Sequence, residues 1–260
     1  MSAPSRRLVA VTALLAASIA CAARAPQRPT GAAMPDATAL TAFTAATRHC
    51  RPLRTATAEI ALGGRVGGDR IRARLVGGFA APASMRLEAL APFGAPGLLL
   101  TSDGATTTVL FPRDRQVLRG ASVADVLDAM TGLALGADEL RDVLFGCLAL
   151  DAATGLAFAG GWQAVEQGDV RVYLRGGALA GADARGWHVD YASATAGGRT
   201  VRVRRTLPRG AIDLTATLTQ VQTNVDLPAE AFTLAVPGDV TSITLDDLRA
   251  ASPLAPARSR

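Results

Sequence analysis

The reactive side chains of this sequence are few: Cys21, Cys50 and Cys147, with His49 and His188. A zinc centre needs three or four such ligands converging at short spacing. His49 adjoins Cys50, but no second histidine follows at ligand spacing. His188 alternates with Trp187 and Val189 in a strand-like run, which turns it toward solvent together with Asp190. No nucleophile elbow or phosphate-cradling glycine loop is present. The carboxylate pairs Asp138-Glu139 and Asp246-Asp247 read as helix N-terminal charges favoured by the backbone dipole. Residue chemistry therefore argues for a non-enzymatic protein that needs no metal and no cofactor. Cys50 and Cys147 leave two readings open, a disulfide in an oxidising compartment or two buried free thiols.

Cys21 belongs to a different chemistry. Arg6 and Arg7 precede an uncharged, mainly apolar run from Leu8 to Ala20, the layout of a secretory signal and shorter than the roughly 20 residues that span a bilayer. The run ends in Ser18-Ile19-Ala20-Cys21, which resembles a lipobox with Ser18 in place of the usual Leu. Lipidation of Cys21 and removal of residues 1–20 are expected. Residues 21–37, rich in Ala, Arg and Pro, form a lipidated tether. Ala22 follows the cysteine where an Asp would signal inner-membrane retention, so the expected location is the outer membrane, facing the periplasm.

The formal net charge of +5 comes with 27 basic residues, all of them arginine, and with heavy use of Ala and Gly. That composition fits a coding bias better than a nucleic-acid surface, and the export signal points away from nucleic acid as well. Attraction to anionic membrane lipid stays open.

The elements follow from periodicity. Leu40, Phe43, Thr47 and Cys50 fall at helical spacing after Thr38. Beyond Pro52 the period becomes two: Ala56, Ala58, Ile60 and Leu62 share one face, and after a Gly-rich turn Ile71, Ala73 and Leu75 oppose Arg70, Arg72 and Arg74. Further strands are predicted at 85–90, 97–102, 106–111, 116–119, 156–166, 170–175, 186–193, 200–206 and 211–221. Two helices interrupt them, one capped by Ser122 with Asp125, the other running from Asp138 to Gly146. The fold class is mainly β (α+β): a single antiparallel incomplete β-barrel over residues 38–240, with an N-terminal helix and, near 122–146, a helical lid enclosing an apolar cavity. Residues 241–260 are a C-terminal tail.

Phe93 stands out within Pro92-Phe93-Gly94, a large apolar residue where a turn is normally polar. It is either a plug folded onto the barrel end or an exposed finger that touches lipid or a partner.

Three features occur in a familiar order: Met85-Arg86-Leu87 leading to Pro92-Phe93-Gly94, then Thr131-Gly132-Leu133-Ala134-Leu135, then Leu140-Arg141 running to Leu144-Phe145-Gly146. On these the chain, from Leu53 to Leu234, resembles the LolB-like outer-membrane lipoprotein receptors of the LolA/LolB half-barrel lipoprotein-carrier superfamily. The resemblance implies a protein that accepts lipoproteins from a soluble periplasmic lipoprotein carrier, holds their acyl chains (palmitate, for example) in the half-barrel, and inserts them into the outer membrane; a monomer is expected. Phe93 lies where the family carries a protruding Leu needed for insertion. The acyl-chain site would comprise the lid residues Val126, Leu127, Met130, Leu140, Val143 and Leu144 over a wall including Ile71, Leu75, Leu87 and Leu99. The ending Asn224-Val225-Asp226-Leu227-Pro228, followed by Phe232-Thr233-Leu234, resembles the soluble carriers more than the receptors. Two other readings stay open: a binder of another lipid or hydrophobic ligand, and a structural envelope lipoprotein whose half-barrel is filled by its own side chains.

Overall fold

A computed structural model describes residues 27–91, 96–193, 198–208 and 210–252. Among them, fifteen strands form one open sheet, antiparallel except at one edge. The first wing is a meander of β2 (Thr55–Val66), β3 (Asp69–Ala80), β4 (Ser84–Leu90), β5 (Leu98–Ser102), β6 (Thr107–Phe111) and β7 (Gln116–Arg119). The second runs through β8 (Thr154–Phe158), β9 (Trp162–Gln167), β10 (Val170–Arg175), β11 (Ala178–Ala184), β12 (Trp187–Ser193), β13 (Arg199–Leu207) and β14 (Gly210–Thr223). β14 pairs with β2 and joins the wings. β1 (Met34–Pro35) adds to β8, and β15 (Thr241–Ser242) runs parallel to β7, so the barrel stays unclosed. Where β2 meets β14, Gly64 has φ +144°, and a Cβ there would lie 2.0 Å from the Asp213 carbonyl oxygen. Only glycine permits that approach.

The helices are α1 (Thr38–Ala46), α2 (Val123–Thr131), α3 (Ala137–Phe145) and α4 (Leu245–Ala250). None of the described helices is long and apolar enough to cross a membrane. The period-two reading of β2 and β3 is met: Ala56, Ala58 and Ile60 are buried, while Arg70, Arg72 and Arg74 are exposed on the other face.

Four differences from the sequence reading have physical causes. The strand expected over 156–166 is two, because Gly160 and Gly161 both take φ +74° and turn the chain. β11 escaped notice because Ala178-Leu179-Ala180-Gly181-Ala182-Asp183-Ala184 contains no β-branched or aromatic residue. The segment taken as a tail from 241 carries β15 and α4, whose first turn holds Asp246 and Asp247 as their reading as helix N-terminal charges implies, and α4 packs on α2. Its signal was legible as a capping box, in which the Thr244 hydroxyl accepts from the Asp247 N–H and the Asp247 carboxylate accepts from the Thr244 N–H. Finally, the described end of the supposed tether is docked. The Arg28 guanidinium donates to the carbonyls of Ala182 (3.1 Å) and Val189 (2.8 Å), ion-pairs with Asp183 and Asp190, and stacks over the Tyr173 ring.

Asp190 is consequently not turned to solvent, although it shares the outer face with His188 as expected. It is buried between Arg28 and Arg204. His188 contacts Asp183 at 2.6 Å, and burial first, then Arg28 and Arg204, lowers its pKa.

Candidate functional site under the helical lid

The inner face of the sheet and the lid pack as one hydrophobic cluster. It takes Ile60 from β2, Phe79 from β3, Met85 and Leu87 from β4, Leu100 from β5 and, from the second wing, residues such as Val172 and Leu174. α2 contributes Val126, which is fully buried, and α3 contributes Leu144 and Phe145. Leu127, Met130, Leu140 and Val143 are half-buried and pack against the same cluster, as does Leu75. Ile71 belongs with Val66, Trp187, Ile212 and Leu214 in a smaller cluster that Leu133, just after α2, helps to cover. The space expected to be an apolar cavity is therefore occupied by the chain's own side chains. Aliphatic residues on two short helices and on the facing sheet are long enough to meet.

Leu99 is a second correction. It pairs with Glu88 and Leu110, whereas Leu87 pairs with Leu100 and lies on the opposite face. The run Leu98-Leu99-Leu100 is apolar on both sides because this wing is covered on both faces: a 3-10 turn at Ala229–Phe232 packs on β4 from outside, and Arg86 donates to the Ala231 carbonyl. Period two then carries no direction.

The two lid helices are held differently. Among the described residues, the side-chain bonds of α2 stay local: Ser122 caps the Asp125 N–H and Thr131 donates to the Leu127 carbonyl. Both helices end at a glycine in the left-handed region, Gly132 (φ 74°) and Gly146 (φ 67°). α3, by contrast, is clamped. Arg199 on β13 donates to the Phe145 carbonyl at 2.5 Å, Arg141 donates to the Pro82 carbonyl at 3.0 Å, and Glu139 pairs with Arg185 at 2.9 Å. The Phe145 ring meets Phe79 edge-on at 5.8 Å. A disulfide joins Cys50 to Cys147, with His49 Nε2 3.4 Å from the Cys50 sulfur. His49 and the two sulfurs converge as a metal set would, but the S–S bond consumes both thiolates that such a set requires.

Polar groups under the lid were not foreseen from sequence. The Tyr191 hydroxyl is buried without a hydrogen-bond partner among the described residues and burial pushes its pKa up, while the Arg199 guanidinium, stacked over that ring, is pushed down by its own burial. Burial also raises Asp142, against the pull of Arg141. Glu139 goes the other way, lowered first by the Gly136 N–H and then, against its burial, by Arg185. A group lowered in the folded state gives stability that is present above its ordinary pKa and lost as pH falls through the folded value. The expected result is a thermal midpoint that drops as pH goes below about 4.5, with a shallower drop in Glu139→Gln. Equal slopes in the two proteins would reject this role for Glu139.

Cys21, Pro92, Phe93 and Gly94 lie outside the described residues.

No family model matches the chain, and no curated protein matches it. Among solved structures, it is similar to a DUF1329 family protein from Desulfovibrio piger, with TM-score 0.46 and 11% identity over 75% of this chain and 97% of that one. It is also similar to a LolA superfamily protein from Nitrosomonas europaea, with TM-score 0.43 and 12% identity over the same shares of the two chains.

Proposed function

We propose that the protein is a non-catalytic lipoprotein receptor, anchored through Cys21 to the outer membrane and facing the periplasm. It accepts lipoproteins from a soluble carrier and inserts them into that membrane, acyl chains held between lid and sheet. One observation carries the reading: α2 covers a continuous aliphatic face through apolar packing, while α3 beside it is tied down by a disulfide and charged hydrogen bonds. An acyl chain can replace apolar contacts with apolar contacts at little net change, whereas exposing sixteen carbons to water costs on the order of 12 kcal/mol. α2 is then the part that yields, and α3 is the fixed wall.

The test is uptake of a triacylated, fluorophore-labelled lipopeptide by the full chain, followed by its release to liposomes. The expected result is uptake by both the unaltered protein and Phe93→Glu, with release slowed at least tenfold in the variant. Uptake and release at equal rates in both would remove Phe93 from the mechanism. No uptake by either would overturn the receptor reading in favour of a half-barrel that merely packs its own core.

A further inference from the structure

The outer face of the sheet is covered at both wings, by Arg28 on β10–β12 and by the 3-10 turn at Ala229–Phe232 on β4. Between them lies an open groove of about 1280 Å³. Two cross-strand rows form its floor: Arg72, Gly63, Thr215 and Arg202 in one, Arg74, Ala61, Thr217 and Thr200 in the other. With strands about 4.8 Å apart, each row runs roughly 14 Å.

The charges in this groove are unequally committed. Arg202 holds Asp213 through two bonds of 2.7 and 2.6 Å, and Asp190 is held by Arg204 and Arg28. Both acidic groups are thereby neutralised. Arg72 and Arg74 make no hydrogen bond or ion pair among the described residues. Guanidiniums left over beside the hydroxyls of Thr200, Thr215 and Thr217 in the same rows suit phosphate oxygens, which accept from both. Beside them Leu90, opposite Arg74, is 47% exposed, and Val76 on the same face is 41% exposed. A soluble anion has no use for those apolar side chains. A lipid surface uses both, headgroup phosphates for the arginines and the headgroup–acyl boundary for Leu90 and Val76.

We propose that this outer-face groove docks the phosphate-bearing headgroups of an anionic phospholipid surface, at a site on the opposite side of the sheet from the lid. It does not depend on the acyl-chain reading, since its floor residues Ala61, Gly63, Arg72 and Arg74 alternate with Ile60 and Leu75, which face the cluster under the lid.

The experiment is co-sedimentation of the full chain, carrying Cys21→Ser to remove any acyl anchor, with phosphatidylcholine vesicles and with vesicles in which a quarter of that lipid is phosphatidylglycerol. Binding is expected only to the anionic vesicles and to weaken with salt. Arg72→Ala with Arg74→Ala should lower it on the order of thirtyfold. Gly63→Gln changes no charge and meets nothing within 4 Å at its Cβ, so it should obstruct the groove and weaken binding with the fold intact. Arg48→Ala with Arg51→Ala removes the same charge elsewhere and should leave binding in place. Equal binding to both vesicle types, or equal loss in the two double variants, would overturn the proposal. So would competition by inorganic phosphate that displaces the protein completely, which would mark a site for a small anion instead.

Discussion

Replacing Cys50 and Cys147 together by alanine is expected to lower the unfolding free energy by roughly 2–5 kcal/mol, measured by urea denaturation under non-reducing conditions. The bond closes a sequence separation of 97 residues, and that loop contains β2 through β7, α2 and α3, so its removal releases a large part of the unfolded chain. The double substitution is the appropriate variant, because a single one leaves a free thiol beside His49. The loss should appear as a shift in midpoint, with thiol reduction of the unaltered protein giving a loss of similar size. A change below about 1 kcal/mol would mean that the remaining ties of α3 suffice to hold the two ends together.

Phe79→Ala should be nearly as damaging, at about 3–5 kcal/mol. Phe79 is fully buried on β3 and its ring is met edge-on by Phe145. Truncation empties a position that the sheet and α3 fill jointly, and Gly77, whose added Cβ would lie 3.0 Å from the Phe79 ring, has no side chain to relax into the gap. Phe79→Leu, which keeps most of the volume, should recover more than half of the loss. If alanine and leucine behave alike, edge-on ring geometry rather than filled volume is what Phe79 contributes.

The β architecture was readable wherever one face of a strand met water. β3 is the clearest case, its arginines alternating with Ile71, Ala73 and Leu75 so that period two fixed both the element and its facing. β6 and β7, buried on both faces, were still placed within a residue of their observed bounds, because turn residues mark their ends, but their facing was not readable. Legibility failed where burial is two-sided, as at Leu99, and where the residues carry no strand preference, as in β11. The lid was legible in its helices, caps and apolar stripe, because each is local. Whether that stripe faces a void or a core depends on how side chains from distant strands fit together, and no local pattern reports that. The clamp on α3 is of the same kind: Arg199 and Phe145 lie on elements far apart in sequence, and only the sheet order brings them within hydrogen-bond reach.

The seam between β14 and β2 has a consequence for the order in which the molecule is made. Every other pairing among β2 to β14 joins neighbours in the chain, so each wing can assemble as it leaves the ribosome. β2 cannot be completed that way. Its twelve residues expose a long row of unpaired N–H and C=O groups until β14 arrives, more than half the chain later. At about 5–20 residues per second that edge stands open for roughly 7–30 s, long enough for two nascent copies to zip together edge to edge.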